Sequence, residues 1–499
     1  MNQEEIVDNI ILDMLELKYP GSKEKILSKT TKSSRRFLML SILDDDRELF
    51  KEYRTIVLND PPHPCGEYST DIVQLLRKYV KVADTEVKEH GEVMTPLTLV
   101  NEMLDKLPNE VWSNKDLKWL DPCNGVGTYP SVVVERLMIG LKDEIIDDCE
   151  RYSHIIEKMI YVCEIQPKNM FLFHCAFDRE DDQELNTYFG SFLDKGFNEH
   201  MLNVWGVEKF DIVLGNPPYK NGLHHKFIVK GFELLNENGL ILFLHPSIVF
   251  INRKGTSLTE HEEKIISFCN HNETKLTLIR SNDYFDGVVL YVPLSITLII
   301  NNSLNQIVVD NKFIIPNVNE TLGNLSDLYL HGNPLVKSIR NKVVQKQLVS
   351  IESKLVKHSG ENNFYLVIPK FTGHKPKGDG SINPDFYTMV IKRNENDYEK
   401  LITNNLNSDL PGQYLSFNSY QECVNVSRYL LTKFARFCLS INKINQELRS
   451  KELTSVPFVD PNILWNDEML FDYFELTQEE RNYINTFIPN YYERDLQNN

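Results

Sequence analysis

Asn216, Pro217, Pro218 and Tyr219 are four consecutive residues whose side chains and carbonyl groups are suited to holding an amine. They follow the apolar run DIVLG, which predicts a buried strand that ends where this tetrapeptide begins. Two consecutive prolines lack amide hydrogens and restrict φ, so the turn is stiff and its carbonyl groups remain available as acceptors. The Asn216 side-chain oxygen and the Pro217 carbonyl oxygen can together accept both hydrogens of an exocyclic amine, and the Tyr219 ring offers a face for a flipped-out base. The same residues also fit an ordinary strand followed by a rigid turn.

A second chemical signal lies upstream, in the segment DPCNGVGT that begins at Asp121. The run LKWLD predicts a short strand that ends at this acid, and Gly125 and Gly127 predict a tight turn that a ligand can approach closely. Further along, MIYVCEIQP predicts a strand that ends at Glu164, where a carboxylate can accept hydrogen bonds from two ribose hydroxyls. The glycine spacing differs from the dinucleotide fingerprint and no Walker lysine follows, which disfavours a nicotinamide cofactor or a nucleoside triphosphate.

A third segment, HGEVMTP at residues 90–96, precedes apolar residues at helical spacing. The pair Thr95 and Pro96 predicts a helix that starts at Pro96 with Thr95 as its N-cap. Free amide hydrogens and the positive dipole end of such a helix can hold a carboxylate. An ordinary capped helix packed on the sheet is the alternative interpretation.

In their order and spacing these segments resemble those of S-adenosylmethionine-dependent, adenine-specific (N6) DNA methyltransferases of the type II restriction-modification kind. In that family HGEVMTP looks like motif X, DPCNGVGT like motif I, Glu164 like the motif II acid and NPPY like motif IV, which is the gamma-type motif order. The resemblance covers about residues 86–310 with specific motifs and continues more loosely to the end. The segment YFGSFLD departs from the family because it has Ser191 where an acid is common, so a contact to the cofactor adenine passes to Ser191, Asp194 or backbone.

The resemblance implies an α/β fold with a doubly wound, Rossmann-like methyltransferase sheet, and a reaction that transfers a methyl group from S-adenosylmethionine to the N6 amine of a flipped-out adenine in double-stranded DNA. It implies a helical extension at residues 1–85, a catalytic domain at 86–333, a mixed α+β target-recognition domain at 334–455 and a helical tail at 456–499. The catalytic residues that it implies are Asn216, Pro217, Pro218 and Tyr219. The cofactor-binding residues that it implies are Thr95, Pro96, Asp121, Pro122, Asn124, Gly125, Gly127, Glu164, Ser191 and Asn216.

Composition favours a cytoplasmic protein, and the resemblance implies one encoded by a bacterium or phage. The amino terminus MNQEEIVDN lacks the basic and apolar regions of a signal peptide. The apolar run VVLYVPLSITLII is shorter than a membrane span and contains a proline, so it favours a buried strand and no membrane partner. The eight cysteines form no CxxC pair, which is typical of a reducing compartment and argues against a zinc site or another metal.

Charge is distributed unevenly, which bears on nucleic-acid binding. The whole chain carries −17, but residues 334–451 contain 18 lysines and arginines against 10 aspartates and glutamates. A basic module on an acidic body is a plausible footprint for DNA, although a solvated surface can have the same composition. The loop FTGHKPKGDGSINPD and the segment RYLLTKFARFCLSINKINQELRSK, predicted to be one helix, supply candidate contacts, and Phe285 could press on the flipped base or belong to the core. The DNA-binding candidates are Phe285, His374, Lys375, Lys377, Arg428, Lys433 and Arg436.

The expected partners are S-adenosylmethionine and double-stranded DNA, for a chain that is expected to be a monomer and to be accompanied in some hosts by a cognate restriction endonuclease. Three alternatives stay open. A modification subunit of a multisubunit restriction system has similar motifs but borrows target recognition from a partner. A protein glutamine methyltransferase also uses NPPY, because a side-chain amide presents the same two hydrogens. A DNA-binding relative without activity is the third.

Overall fold

The chain is described here by a computed structural model. The described residues are 9, 11–16, 19–21, 23–29, 40, 48–59, 68–79, 94–177, 184–250, 258–285, 293–312, 318–325, 328, 334–356, 364–369, 388–389, 401–404, 412–443 and 448–489.

The chain divides into two compact units. The first comprises residues 1–246, 260–277 and 295–308, and the second comprises residues 247–259, 278–294 and 309–499. All three predicted strand ends, at Asp121, Glu164 and Gly215, belong to the first unit. The four functional domains predicted from the sequence remain predictions.

The first unit is built around a doubly wound α/β sheet with the strand order β3-β2-β1-β4-β5-β7-β6-β8. The pairs β3/β2, β2/β1, β1/β4 and β4/β5 are parallel. The chain therefore adds strands first on one side of β1 and then on the other. The strand order reverses between β1 and β4. Ligands bind at this reversal in folds of this type. The strands are β1 Trp119–Asp121, β2 Ile160–Glu164, β3 Asn186–Phe189, β4 Phe210–Gly215, β5 Leu235–Pro246, β6 Glu273–Ile279, β7 Leu294–Ile300 and β8 Gln306–Asn311.

Helices connect β1 to β2, β2 to β3, β3 to β4 and β4 to β5, as parallel pairing requires. Every residue of β1 and β2 is buried, which is the pattern of strands covered on both faces. The predicted α/β fold is confirmed. The helices of this unit are α1 Lys23–Lys29, α2 Glu48–Asn59, α3 Tyr68–Tyr79, α4 Leu97–Leu104, α5 Thr128–Gly140, α6 Asp148–His154, α7 Pro167–Phe177, α8 Lys195–Asn203, α9 Leu223–Glu233 and α10 Glu260–His271.

The amino-terminal helices pack against helices that follow the motif strands. Helix α3 contacts both α5 and α7. The Tyr53 hydroxyl on α2 donates a hydrogen bond of 2.9 Å to the Cys175 carbonyl on α7, and Tyr53 is buried. This packing brings side chains of α3 next to the amino-terminal end of α5.

The second unit combines a small antiparallel sheet with helices. Its four-stranded sheet has the order β10-β13-β11-β12 and antiparallel pairs. Buried aliphatic and aromatic side chains from these strands and from the helices form one core. The elements are β9 Val318–Leu322, α11 Pro334–Gln345, β10 Leu355–Val356, β11 Phe364–Pro369, β12 Ile402–Thr403, β13 Gly412–Phe417, α12 Tyr420–Leu431, α13 Lys433–Ser440, α14 Asp467–Tyr473 and α15 Gln478–Phe487.

The prediction of one long helix from Arg428 onward is wrong. The segment contains the end of α12 and a separate helix, α13, with a break at Thr432. Thr432 has ψ of 153°, and its side chain accepts a hydrogen bond of 3.2 Å from the Ala435 amide. An N-cap residue of this kind begins a new helix, which apolar periodicity alone does not reveal.

No helix within the described stretches is both long enough and apolar enough to cross a membrane.

The turn between β1 and α5 depends on a glycine. Gly127 has φ of 93°, and a Cβ atom there would lie 2.8 Å from Phe177 Cε2 and 3.0 Å from Phe173 Cδ2. We expect Gly127→Ala to lower the free energy of unfolding by about 2–4 kcal/mol, because left-handed backbone and overpacking each cost roughly 1–2 kcal/mol or more. Urea titration measures the loss.

Gly206→Ala is the matched control for this substitution. Gly206 has φ of 65°, and a Cβ atom there would meet no described atom within 4 Å. The free energy of unfolding of Gly206→Ala should fall only by the backbone cost of about 1–2 kcal/mol. Equal losses for the two variants would contradict the crowding by Phe173 and Phe177.

Candidate active site

Asn216 lies at the carboxyl end of β4, where the strand order reverses. The preceding residue, Gly215, packs so closely on the end of β1 that a Cβ atom would lie 3.0 Å from Asp121 Oδ1 and 3.2 Å from Cys123 Sγ. No side chain fits between the two strand ends without displacing the Asp121 carboxylate. This contact holds the Asn216 segment beside the loop that follows β1.

The Asn216 side chain is hydrogen-bonded at both ends of its amide. Nδ2 donates to Thr95 Oγ1 at 3.0 Å, and Oδ1 accepts from the Tyr219 hydroxyl at 2.6 Å. The predicted N-cap role of Thr95 is wrong, because α4 begins at Leu97, Pro96 occupies the N-cap position and no side chain caps the helix. The Thr95 hydroxyl instead accepts the hydrogen bond from Asn216. The sequence did not reveal this contact between residues 121 positions apart.

Tyr219 donates through its hydroxyl as well as offering a ring face. Burial, with a further contribution from Cys123, raises the pKa of Tyr219 well above its usual range, so the hydroxyl keeps its proton. The ring meets His224 edge-on, with centroids 5.7 Å apart. Burial, followed by the neighbouring His245 and His225, lowers the pKa of His224 to about 2, so this histidine is neutral. The surroundings of Tyr219 are therefore uncharged, and its hydroxyl occupies one acceptor position of Asn216.

The Glu164 carboxylate joins the loop after β1 to the loop after β2. Its Oε2 accepts from the Gly125 amide and its Oε1 from the Gln166 amide, both at 2.7 Å. Glu164 is buried. A carboxylate in this position can also accept hydrogen bonds from ligand hydroxyls.

Two buried acceptors in the loop after β1 lack a hydrogen-bond partner among the described residues. They are Asp121 Oδ2 and Asn124 Oδ1. Asp121 Oδ1 accepts from the Cys123 amide at 3.0 Å, and Asn124 Nδ2 donates to the Gly125 carbonyl at 3.0 Å. Leaving a buried acceptor unpaired costs about 1–3 kcal/mol, so this loop is suited to a ligand that brings N–H or O–H groups.

A cavity of about 430 Å³ adjoins these groups. Such a volume suits a ligand of cofactor size. The cavity brings together residues from the loops after β1, β2, β3 and β4. The predicted site residues that line it are Thr95, Pro122, Asn124, Gly125, Glu164, Ser191, Asn216, Pro217, Pro218 and Tyr219.

Three predicted cofactor residues do not line the cavity. They are Pro96, Asp121 and Gly127, which shape the elements around it. Ser191 lines the cavity, whereas Asp194 precedes α8 and does not. Sequence reasoning missed Thr128, Tyr129, Asn169, Phe192 and Phe227. Thr128 ends the glycine-rich segment and Tyr129 follows it, which is a usable signal, but Asn169 and the two phenylalanines resemble ordinary helix or core residues.

The predicted DNA contacts are only partly described, and one of them is wrong. Arg436 is fully buried, and its guanidinium donates to the Pro489 carbonyl at 2.9 Å, so its side chain faces the core rather than a ligand. Lys433 is half-buried with Nζ donating to the Asn485 carbonyl at 2.9 Å, whereas Arg428 is exposed. Phe285 is buried. His374, Lys375 and Lys377 lie outside the described residues.

Comparison with known proteins adds one local sequence match. No family model matches the chain. A stretch of 103 residues is 37% identical to an "uncharacterized adenine-specific methylase" of Mycoplasma pneumoniae, covering 19% of this chain and 24% of that protein. The chain therefore matches about a quarter of the length of this relative.

Solved structures give distant likenesses. A class I S-adenosylmethionine-dependent methyltransferase of Listeria monocytogenes has 14% identity and a TM-score of 0.35, with 65% of this chain and 94% of that chain covered. The M protein of the type I restriction enzyme EcoKI has 14% identity and a TM-score of 0.33, with 61% and 66% covered. The type IIL restriction-modification enzyme MmeI in complex with DNA has 11% identity and a TM-score of 0.39, with 76% and 67% covered. Structural similarities this distant establish neither the fold nor the activity of the chain.

The buried Asp121 carboxyl makes stability depend on pH. Burial raises its pKa to about 7, and hydrogen bonds from Cys123 oppose this only in part. Between the unfolded pKa near 4 and the folded pKa, the folded chain binds more protons, so the free energy of unfolding falls as pH rises through this window. We expect this group to contribute a loss of roughly 2–3 kcal/mol between pH 5 and pH 8.

Asp121→Asn has no charge at this position and should lack that part of the pH dependence. Urea titrations at pH 5 and pH 8 give the change in the free energy of unfolding with pH for each protein. The contributions of all other titrating groups cancel in the difference between the two proteins. The same slope in both proteins would show that Asp121 titrates normally.

Proposed function

We propose that the chain is an adenine-specific DNA methyltransferase that transfers a methyl group from S-adenosylmethionine to the N6 amine of a flipped-out adenine. The observation that carries this proposal is the position of Asn216 at the strand-order reversal, where its side-chain oxygen lies in one cavity with the acceptor-rich loops after β1 and β2. The local match to an adenine-specific methylase supports the same activity.

The acceptors of the cavity fit S-adenosylmethionine. Glu164 would hold the ribose hydroxyls through its carboxylate oxygens. The unpaired Asn124 Oδ1 favours a ligand group that donates hydrogen bonds, such as the α-ammonium group of the cofactor. Ser191 and Phe192 would line the position of the adenine ring. When bound, the cofactor supplies an electrophilic methyl group.

The residues of the chain would orient the target amine rather than act as a strong base. The Asn216 side-chain oxygen and the Pro217 carbonyl would accept the two amine hydrogens, which draws the nitrogen from planar toward tetrahedral geometry and frees its lone pair. A methylated amine is acidic and can lose its extra proton to water. Catalysis then consists of orientation and stabilisation of the positive charge that develops on nitrogen. The products would be N6-methyladenine and S-adenosylhomocysteine.

The substrate would be double-stranded DNA, from which the target base must be unpaired and unstacked at a cost of a few kcal/mol. Stacking on Tyr219 and the hydrogen bonds to Asn216 and Pro217 would offset part of this cost. The basic composition of residues 334–451 supports target recognition in this part of the chain. We further propose the domain boundaries and the gamma-type motif order given above, a monomer, a cytoplasmic location and, in some hosts, a cognate endonuclease.

The first test is Asn216→Ala, which removes one acceptor of the amine. We expect the single-turnover rate of DNA methylation to fall about 100-fold or more, as when a preorganised hydrogen-bonding group is removed from an active site. Cofactor affinity, measured by calorimetry, should change little. Methyl incorporation is measured on DNA and on a glutamine-containing protein extract in parallel.

Asn216→Asp is the matched variant, because it keeps acceptor oxygens and loses the donor to Thr95. It should retain more activity than Asn216→Ala. A high methylation rate in Asn216→Ala would contradict the proposed chemistry. Methylation of protein but not of DNA would replace the proposed substrate by glutamine.

A second test concerns DNA binding by the basic segment. Replacing Lys375 and Lys377 together with glutamine should weaken binding to all DNA sequences. Each lost phosphate contact lowers the slope of log affinity against log salt concentration by about 0.9. Fluorescence anisotropy at several salt concentrations measures this slope. The charge-matched control replaces Lys142 and Lys195, which are exposed in the first unit. Equal losses in both double variants would argue against a specific role of the basic segment.

A further inference from the structure

A guanidinium group from the amino-terminal helices holds two residues that line the cavity. Arg77 on α3 donates through Nη1 to the Thr95 carbonyl at 2.7 Å and to Thr128 Oγ1 at 2.9 Å. Both threonines line the cavity, and they are only 5% and 6% exposed. Arg77 itself is half-buried, and its helix packs on α5 and α7. One cation therefore connects the segment before α4 to the start of α5.

The Thr95 carbonyl depends on this contact for its hydrogen bond. Thr95 lies outside α4, and the first amides of that helix donate to the Pro96 carbonyl instead. Among the described residues, Arg77 is the donor to the Thr95 carbonyl. Such a bond is charge-assisted, which makes it stronger than a bond between neutral groups. An apolar residue in place of Arg77 would leave a buried carbonyl without a donor, which favours movement of the segment.

A fixed backbone at Thr95 also fixes its hydroxyl group. A residue before proline is restricted to extended backbone, and a β-branched side chain has few rotamers. The hydroxyl accepts from Asn216 Nδ2 at 3.0 Å, which holds one end of the amide whose oxygen is the proposed acceptor of the amine. A shift of the Thr95 segment by ~1 Å would break this bond, because such a separation is too long for a hydrogen bond.

An ion pair does not account for the position of Arg77. Among the described residues it pairs with no aspartate or glutamate, whereas Arg136 and Arg151 each pair with an aspartate. The described partners of Arg77 are the neutral oxygens of Thr95 and Thr128. What this side chain determines is therefore the relative position of the two threonines.

We propose that Arg77 is a positioning residue that clamps Thr95 to the start of α5 and thereby holds the Asn216 amide in place. This inference rests on the proposed methyl transfer to an amine. It gives the amino-terminal helices a part in the reaction, although none of their described residues lines the cavity.

The first test is Arg77→Met, which removes the donors and keeps a side chain of similar length. The single-turnover rate at saturating cofactor and DNA should fall about fivefold, as for one lost hydrogen bond. Weaker binding of either ligand cannot cause a fall that is measured at saturation. In a Thr95→Val background the hydroxyl that carries the effect is absent, so Arg77→Met should cause little further loss. Equal losses in the two backgrounds would overturn the proposal.

Arg136→Met is the matched control for this substitution. Arg136 is also half-buried, and it joins α5 to α4 by donating to Asn101 Oδ1 at 2.8 Å and pairing with Asp105 at 2.8 Å. None of these three residues lines the cavity. Arg136→Met should leave the methylation rate unchanged. An equal loss in Arg136→Met would show that the effect of Arg77→Met is one of ordinary helix packing.

A spectroscopic measurement tests the clamp without relying on activity. In the full chain labelled with ¹⁵N-asparagine, the Asn216 side-chain signals are identified by their loss in Asn216→Asp. We expect Arg77→Met to shift these signals toward their positions in Thr95→Val, whereas Arg136→Met should leave them in place. Unchanged signals in Arg77→Met would refute the proposal.

Thr128→Val is a second variant, which serves if Arg77→Met does not fold. It removes one acceptor of the clamp and keeps the shape of the side chain. The Asn216 signals should shift in this variant too, and signals that stay in place would count against the clamp in the same way. An absence of DNA methylation by the unaltered chain would refute the proposed function alone, because the spectra would still report on the Asn216 amide.

Discussion

The close contact between the ends of β1 and β4 is the constraint on which the site depends. Because Gly215 lies against the Asp121 carboxylate with no room for a side chain, the two loops that follow these strands leave the sheet side by side. One loop carries Gly125 and the other carries Asn216. The loop after β1 and the loop after β4 thus share one cavity as a consequence of strand packing. A residue larger than glycine at position 215 would require the Asp121 carboxylate to shift by a few tenths of an ångström.

A second property of the site is its excess of hydrogen-bond acceptors. The cavity is lined by Asn124, Glu164 and Asn216, whose carboxylate or amide oxygens are acceptors, and Asn124 Oδ1 has no partner in the described structure. An acceptor-rich cavity favours ligands that carry hydroxyl, ammonium or amino groups. Those are the groups that the cofactor and an adenine together would present. Chemistry and geometry therefore point to the same pair of ligands.

Much of this arrangement could be predicted from the sequence, because local signals determine it. The apolar runs that end at Asp121, Glu164 and Gly215 predict three strand ends, and the structure confirms each. Parallel strands bring their carboxyl ends to one edge, so the grouping of the motifs follows from the fold class. The roles of the individual site residues remain predictions.

Contacts that depend on tertiary packing could not be predicted. The Thr95 hydroxyl looks like a helix cap in sequence, but Asn216, far along the chain, takes its hydrogen bond. Arg436 looks like a member of a basic helix face, but the break at Thr432 begins a new helix in which this side chain is buried. In both cases the residue type can serve either a local helix or a tertiary contact, and the sequence pattern favoured the local role. Only the packed chain reveals which neighbour lies within reach.

Under the proposed function, the hydrogen bond from Tyr219 to Asn216 would help the pocket to discriminate between bases. In the absence of substrate this bond satisfies an oxygen that would otherwise attract water. A base that displaces it must supply a donor in return. Adenine and cytosine carry an amino group at the relevant edge, whereas thymine and guanine present a carbonyl oxygen there, which would repel Oδ1. A site that hydrogen-bonds its substrate rejects analogues that lack the donor far more strongly than a purely apolar pocket does. In the proposed reaction the Tyr219 hydroxyl would therefore contribute to base selectivity even before any DNA sequence is read.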